Sequence, residues 1–291
     1  MEKINEIRSK YINALLITGI VEFVLFVLFI AAGFFAGTFI FLMFEIVTFV
    51  IIYSVLNGKY TKMVKNETLI NLLKEHFVVK DYDFKASIDE ETVRHSGLIQ
   101  MGNRFHGDDY FELEYKNINI KRCDLKIDNV TSNGKSTSTV NYFTGQFLMI
   151  DINKNFDEYL QIREKEFFGI NGNHKYQKKF FENVEKVKLE SIEFNEKFNV
   201  YSSDGHTTFY VLTPKFMESL IKLQDKIDGQ FALSFLGGML YFSVHNKANL
   251  FEVSLLESVE EYISSVRLEV LQIKEFIDEL IDKNVLEAGE V

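Results

Sequence analysis

The chain has one cysteine, one proline and no tryptophan among its 291 residues. A lone thiol, Cys123, excludes an internal disulfide and any zinc site built from several cysteines, and it fits a reducing compartment. A lone proline, Pro214, leaves no proline-rich linker and argues against long disordered tracts. The six histidines (His76, His95, His106, His174, His206, His245) show no pair four apart and no His-Glu-x-x-His, and no Gly-x-Ser-x-Gly elbow occurs. Positive charge is scarce: the net charge is −10. Met1 to Asn66 carries six basic and four acidic residues, a balance of +2, which leaves −12 for the remainder. A domain that acidic is poorly suited to neutralising phosphates, so no nucleic-acid partner is expected.

Charge is also missing over one long stretch. Between Tyr11 and Leu56 only Glu22 and Glu45 interrupt an apolar run. A spanning helix needs about 20 residues, and this run is about twice that. The Ala31-Ala32-Gly33-Phe34-Phe35-Ala36-Gly37-Thr38 stretch breaks it in the middle, predicting membrane helices at about 12–33 and 38–56 joined by a short turn. Cleaved signal peptides have a shorter apolar core, and a soluble buried hairpin is the other alternative. Lys3, Arg8 and Lys10 precede the first helix, Lys59, Lys62 and Lys65 follow the second, and the turn has no charge. Positive flanks stay inside, so the expectation is a two-helix protein of the cell membrane with both termini cytoplasmic. Those lysines serve as topology determinants and could also touch anionic headgroups.

Glu22 and Glu45 stand at similar depth from the turn, with Thr18 four residues before the first and Thr48 three after the second, so each helix carries a polar stripe. Intramembrane carboxyls are costly and usually face protein or water. The group Glu22, Glu45, Thr18 and Thr48 can be read as a protonated pair bonding within the hairpin or an oligomer, as a docking face for a partner's membrane helix, or as an ion or proton site. Gly33 and Gly37 permit a tight turn and also fit the small-xxx-small packing pattern.

Lys59 to Phe77 has helical periodicity. From Phe84 to Ile152 the pattern is strand-like: Phe111, Leu113 and Tyr115 alternate with Glu112, Glu114 and Lys116, and a polar loop is expected over Asn129–Ser138. Lys154 to Phe181 is ambiguous, with a turn near Gly169–Gly172. Further strands are expected at Val187–Phe194, Phe198–Tyr201 and Thr208–Leu212. Thr213 then caps a helix with Pro214 at its first position. Gly237-Gly238 joins Phe231–Phe235 to Met239–Val244 as a hairpin. In a helix from about Leu255 to Val285, Val259, Ile263, Val266, Val270, Ile273, Ile277 and Leu280 fall at heptad spacing, either as a dimer seam or as a face packed on the chain's own sheet. The fold class is therefore α+β: a transmembrane hairpin (1–58), a juxtamembrane helix (59–80) and a cytoplasmic mixed α/β domain (81–291) with antiparallel strands, in two groups (81–183 and 184–291), and a long C-terminal helix.

Recognisable chemistry is sparse. Gly134-Lys135-Ser136 has the look of a P-loop's end, but Asn129 stands where the first glycine is required and the segment links two strands. Cys123 lies in a strand pattern and reads as a buried structural thiol. Asp108 and Asp109, beside His106, and Asp204, beside His206, bring carboxylates near imidazoles; acid–base work would need them in one cleft, and turn formation explains them equally.

Ser96-Gly97-Leu98-Ile99, Arg104-Phe105-His106-Gly107-Asp108-Asp109-Tyr110 and the run Ser191–Leu220 together resemble an uncharacterised family of bacterial membrane-anchored proteins. Glu193-Phe194-Asn195 and Leu212-Thr213-Pro214 are the more specific pieces of that run, and Leu240-Tyr241-Phe242-Ser243 and Phe251-Glu252 fit as well. The family is a domain of unknown function sometimes labelled as galanin and often encoded near LemA-like proteins. The resemblance implies two N-terminal membrane helices and a shared envelope role, and brings no activity with it. Where the family carries a further glycine after Tyr110, this chain has Phe111-Glu112.

The expected function is a membrane-tethered cytoplasmic interaction or scaffold module, without enzymatic activity, cofactor or metal. Its expected partners are the bilayer and a protein, or a second copy, met through the membrane helices or the C-terminal helix. A lipid or small-ligand sensor and an enzyme of unrecognised type using Asp109 or Asp204 are the alternatives.

Overall fold

The computed structural model describes residues 2–33, 37–152, 158–165, 167, 183–247, 251–283 and 285. The ambiguous stretch around Gly169–Gly172 and the middle of the Gly33–Gly37 turn lie outside these. The chain divides into two compact units, Met1–Leu72 with Leu250–Glu269, and Leu73–Asn249 with Val270–Val291.

The first unit is helical. Helices α1 (Glu2–Ala31) and α2 (Thr38–Val64) rise about 45 and 40 Å at 1.5 Å per residue, more than the ~30 Å hydrocarbon core. Only 6% of each apolar window is buried inside the protein, whereas a soluble core hairpin would hide these side chains. Length, composition and exposure thus point to membrane anchoring. Both helices outrun the apolar segments that predicted them, because their polar ends find partners described below. Phe29 stacks on Phe41 with ring centroids 4.3 Å apart. Gly33 ends the first helix at φ +85°, a conformation glycine adopts without strain. After α2 comes one π-helical turn, Lys65–Leu69, and then α3 (Ile70–Lys74). The helix expected to 80 stops there, and Val78 opens a strand.

The second unit is built on a nine-stranded, wholly antiparallel sheet. Its strands are β1 (Val78–Asp83), β2 (Arg104–Tyr115), β3 (Ile118–Ser132), β4 (Thr137–Asp151), β5 (Leu160–Glu164), β6 (Glu185–Val187), β7 (Phe198–Ser202), β8 (Gln230–Leu236) and β9 (Met239–His245), in spatial order β1-β2-β3-β4-β9-β8-β5-β7-β6. The polar loop expected over Asn129–Ser138 shrinks to residues 133–136, where Asn133 Oδ1 accepts from the Lys135 and Ser136 amides. Gly134-Lys135-Ser136 is thus the tip of a hairpin. β2 stops pairing at Arg104↔Asp128 and β9 at Gly145↔His245, so the four pairs from Asn129↔Val140 to Ser132↔Thr137 extend past both neighbours.

Alternation along the strands gives the sheet two covered faces. On one, helix α4 (Glu90–His95), capped by the Asp89 side chain at Thr92 N, and the following Leu98-Ile99 pack on Cys123, Leu125, Phe143, Phe147 and Ala232. On the other, an aromatic chain runs Phe194–Phe198–Phe231–Phe242–Phe276 with centroid spacings of 4.4–5.6 Å. Such contacts add roughly 0.5–1.5 kcal/mol per pair beyond burial.

Two expected strands are helices instead. Ser191 caps α5 (Ile192–Lys197) by accepting from Phe194 N, and Thr208 Oγ1 donates to the Asp204 carbonyl in α6 (Gly205–Val211). Backbone bonds from Thr208 N to the Asp204 carbonyl and from Leu212 N to the Thr208 carbonyl, at 3.4 and 2.8 Å, prevail over the β-propensity of Thr-Thr-Phe-Tyr-Val. Thr213 caps α7 (Pro214–Lys226) at Phe216 N with Pro214 at the first position. Gly237 and Gly238, at φ +58° and +77°, turn β8 into β9. The long helix α8 (Val259–Asp282) buries its heptad positions against its own chain: Val259 and Val266 in the first unit, Val270, Ile273, Ile277 and Leu280 in the second.

Candidate functional site

Three clusters of polar side chains sit where polarity is expensive. The first is inside the hairpin. Thr48 Oγ1 lies 2.8 Å from Glu22 Oε1 and 2.8 Å from the Glu45 carbonyl, while Thr18 Oγ1 donates to Ala14 O at 2.9 Å. The 3.6-residue turn puts Glu22 with Thr18 and Glu45 with Thr48, and pairing of α1 with α2 brings the four together. They line one cleft of about 380 Å³ with Ile17, Val21, Leu25, Phe41 and Phe44. Glu45 is only 8% exposed, yet its Oε1 has no hydrogen-bond partner among the described residues. A buried acceptor left unmatched costs about 1–3 kcal/mol.

The second cluster lies at the base of the hairpin, where the strap Phe251–Ser258 is bound to both helices. Along α2, Lys65 Nζ meets Glu252 Oε1 at 3.0 Å, Thr61 Oγ1 donates to Val253 O at 2.8 Å, Asn57 Oδ1 accepts from Leu255 N at 2.7 Å, and Tyr53 OH sits 3.4 Å from Ser254 Oγ. Residues 53, 57, 61 and 65 step by four and so share one stripe of the helix. From α1, Arg8 Nε and Nη2 donate to the Leu255 and Leu256 carbonyls at 3.0 and 3.2 Å, and Asn5 Nδ2 donates to Glu260 Oε1 at 2.9 Å. Lys65 is buried in its ion pair, which withdraws it from the headgroup role that the sequence allowed; Lys59 and Lys62 remain exposed.

The third cluster is in the sheet. Arg122 and Asp124, two apart on β3 and so on one face, form a bidentate pair at 2.9 and 2.8 Å with side chains only 1% and 5% exposed. Burial pushes the Asp124 carboxyl up to about 7, against the pull of the guanidinium and with help from the Asp109 and Asp108 charges. Asp109 stands at φ +52° in the bulge where the β2–β3 register shifts, fully buried. Asp108 lies near His106, at 3.9 Å from the imidazole Nε2. Gly107 precedes them because a Cβ there would meet Ser87 Cβ at 2.5 Å. The backbone here is therefore constrained at both Gly107 and Asp109. Cys123, between Arg122 and Asp124 on the opposite face, has its thiol pushed up to about 12 by burial, which makes it a structural residue and a poor nucleophile.

Sequence reasoning singled out Asp108 and Asp109 but missed Arg122 and Asp124. Their i, i+2 spacing in a strand was the available signal. Asp204 is placed elsewhere, at the start of α6, where its carbonyl accepts from Ser202 Oγ at 2.7 Å and from Thr208 Oγ1; the His206 side chain lies outside those described. The family-like pieces have structural work. Ser234 Oγ and Gln161 Nε2 donate to the carbonyls of Ser96 and Gly97 at 2.8 and 3.0 Å, fastening that segment to the sheet. Asn195 bridges Leu189 and Ser191 through their backbones.

No curated protein matches the sequence. A crystal structure of the mycobacterial trehalose monomycolate transport factor A, TtfA, aligns over 78% of this chain and 99% of its own, at 9% identity and a TM-score of 0.38. Residues 141–281, just under half of the chain, match a family model described as protein of unknown function (DUF3137). The Ser191–Leu220, Leu240–Ser243 and Phe251-Glu252 pieces fall inside that match, the Ser96 and Arg104 pieces outside it, and this part of the chain is a domain of unknown function.

Proposed function

We propose that the protein is a membrane-tethered interaction module: the hairpin spans the cell membrane with both termini cytoplasmic, and a partner's membrane helix docks on the Glu22–Thr48–Glu45 face. The observation that carries this reading is the buried Glu45 Oε1, unmatched within the hairpin and opening on a cleft lined otherwise by aliphatic and aromatic side chains. Polar groups of membrane helices are satisfied across helix–helix contacts, each worth on the order of 1 kcal/mol. A helix bearing a hydroxyl, amide or cationic side chain has the chemistry to complete the set.

The test is affinity purification of the tagged full-length protein from mildly solubilised membranes, beside a Glu22→Leu/Glu45→Leu variant. A stoichiometric membrane partner that is lost with the variant supports the reading. Equal recovery from both samples contradicts docking at this face, and recovery of no protein after crosslinking contradicts the interaction role.

A groove of about 520 Å³ between α7 and the end of α8 favours a second reading, a small-ligand sensor. Its walls include Phe216, Leu220, Leu223 and Phe276, with Lys222 and Ser219 at hand. Ligand-dependent thermal stabilisation that is lost in Leu220→Lys would support it.

A further inference from the structure

The strap 251–258 has an odd side-chain pattern. Phe251, Val253 and Leu255 are buried, whereas at the alternate positions Glu252 and Leu256 are exposed and Ser254 is half-buried. Glu252 and Ser254 are polar, as an outward set should be. Leu256 is not, yet it is 69% exposed.

Its partners say at what depth it lies. Along α2 the strap descends: Glu252 is bound at Lys65, Val253 at Thr61, and Ser254 and Leu255 at Tyr53 and Asn57. Tyr53 and Asn57 straddle Leu56, the last residue of the apolar run. Along α1, which enters the run from the opposite direction, the strap climbs again. Leu255 and Leu256 are held by Arg8, and Glu260 by Asn5. Arg8 stands three residues, or about 4.5 Å, before the run begins at Tyr11. The α2 contacts are deepest at Ser254-Leu255 and the Arg8 contacts hold Leu255-Leu256, so the low stretch of the strap, Ser254 to Leu256, lies level with the edge of the hydrocarbon. Lys59 and Lys10 are exposed at neighbouring heights on the two helices.

We propose that this strap is a third membrane-contacting element, with Leu256 inserted into the glycerol and upper acyl region of the cytoplasmic leaflet. An exposed leucine is costly in water and is favoured at a lipid boundary. The Arg8 guanidinium, bonded to both carbonyls at the tip, satisfies backbone groups that lipid could not. The occupant is lipid because the surface is continuous with the face of the hairpin, so the inference rests on the hairpin being in a bilayer.

Buried Cys123 leaves the native protein without a reactive thiol, so an introduced cysteine can be labelled selectively. The experiment places an environment-sensitive fluorophore on Leu256→Cys, with Val47→Cys, exposed midway along the apolar part of α2, and Lys62→Cys beyond it as references. Full-length protein is reconstituted in phosphatidylcholine–phosphatidylglycerol vesicles with and without brominated acyl chains. The expected result is a blue-shifted emission at 256, quenched by bromolipid, with quenching also at 47 and none at 62. Quenching at 47 with water-like, unquenched emission at 256 overturns the strap contact and leaves the anchor standing. An unquenched probe at 47 overturns the anchor and the strap contact with it.

Discussion

The two units bury carboxyl groups in opposite ways. In the sheet, apolar side chains are inside, and Asp124 is admitted among them with a guanidinium held in two hydrogen bonds. In the hairpin the apolar side chains are outside, Phe39 and Ile40 among the most exposed, and buried Glu45 and half-buried Glu22 share an otherwise apolar cleft with the Thr18 and Thr48 hydroxyls. The sheet answers its buried carboxylate with a guanidinium. The hairpin has left one carboxyl oxygen for something else to solve. A buried charge that is already paired reads as architecture, whereas a buried acceptor left open reads as a place for a partner.

The largest expected effect breaks the first half of that contrast. Above pH 7, where Asp124 is ionised, Arg122→Met leaves it buried without its counter-charge and should cost about 3–5 kcal/mol in urea unfolding of the sheet unit, with most of it recovered in Arg122→Met/Asp124→Leu. An equal cost in single and double variants would show that the pair is not the reason. Next comes the hairpin, where the same logic predicts the reverse sign. Glu22→Leu/Glu45→Leu removes groups whose insertion costs on the order of 2.5–3.5 kcal/mol each, so the variant should stay in the membrane fraction and resist extraction at least as well as the parent. A fall in membrane retention would mean that the carboxyls hold the hairpin together.

A pH titration sharpens the comparison further. Asp124 has an ordinary value of 3.8 and is raised to about 7 by burial, so the folded chain keeps a proton that the unfolded chain releases. Its contribution therefore makes stability fall as pH rises from about 4 to 7, with no further change above. The slope measured for the parent should shrink in Asp124→Asn; an unchanged slope would assign it to other groups. The smallest of these effects belongs to Thr213→Ala, which removes the cap on Phe216 N and should cost about 1 kcal/mol without altering membrane retention.

Local features were legible in the sequence and long-range ones were not. The hairpin was visible because only Glu22 and Glu45 interrupt the apolar run from Tyr11 to Leu56. Phe111-Leu113-Tyr115, Thr213-Pro214 and Gly237-Gly238 were visible because alternation, caps and tight turns are written in adjacent residues. The helices α5 and α6 were missed because the Ser191 cap and the backbone bonds from Asp204 to Leu212 prevailed over a β-like composition. The strap was missed because Lys65 and Glu252 are 187 positions apart, and nothing in either neighbourhood names the other. Glu22, Glu45, Thr18 and Thr48 stood out as anomalies of composition. That they share one cleft depends on helix pairing, and that Glu45 remains unmatched could be seen only once the helices were paired.

The central claim is that the hairpin crosses the membrane with its short turn on one side and both ends on the other. Single cysteines at Ala32, beside the turn, and at Lys62, beyond α2, can be probed with a membrane-impermeant maleimide in intact cells and in inverted vesicles, with Cys123 silent in the folded protein. The account predicts labelling at 32 only in intact cells and at 62 only in inverted vesicles. Labelling of both positions from the same side would contradict it.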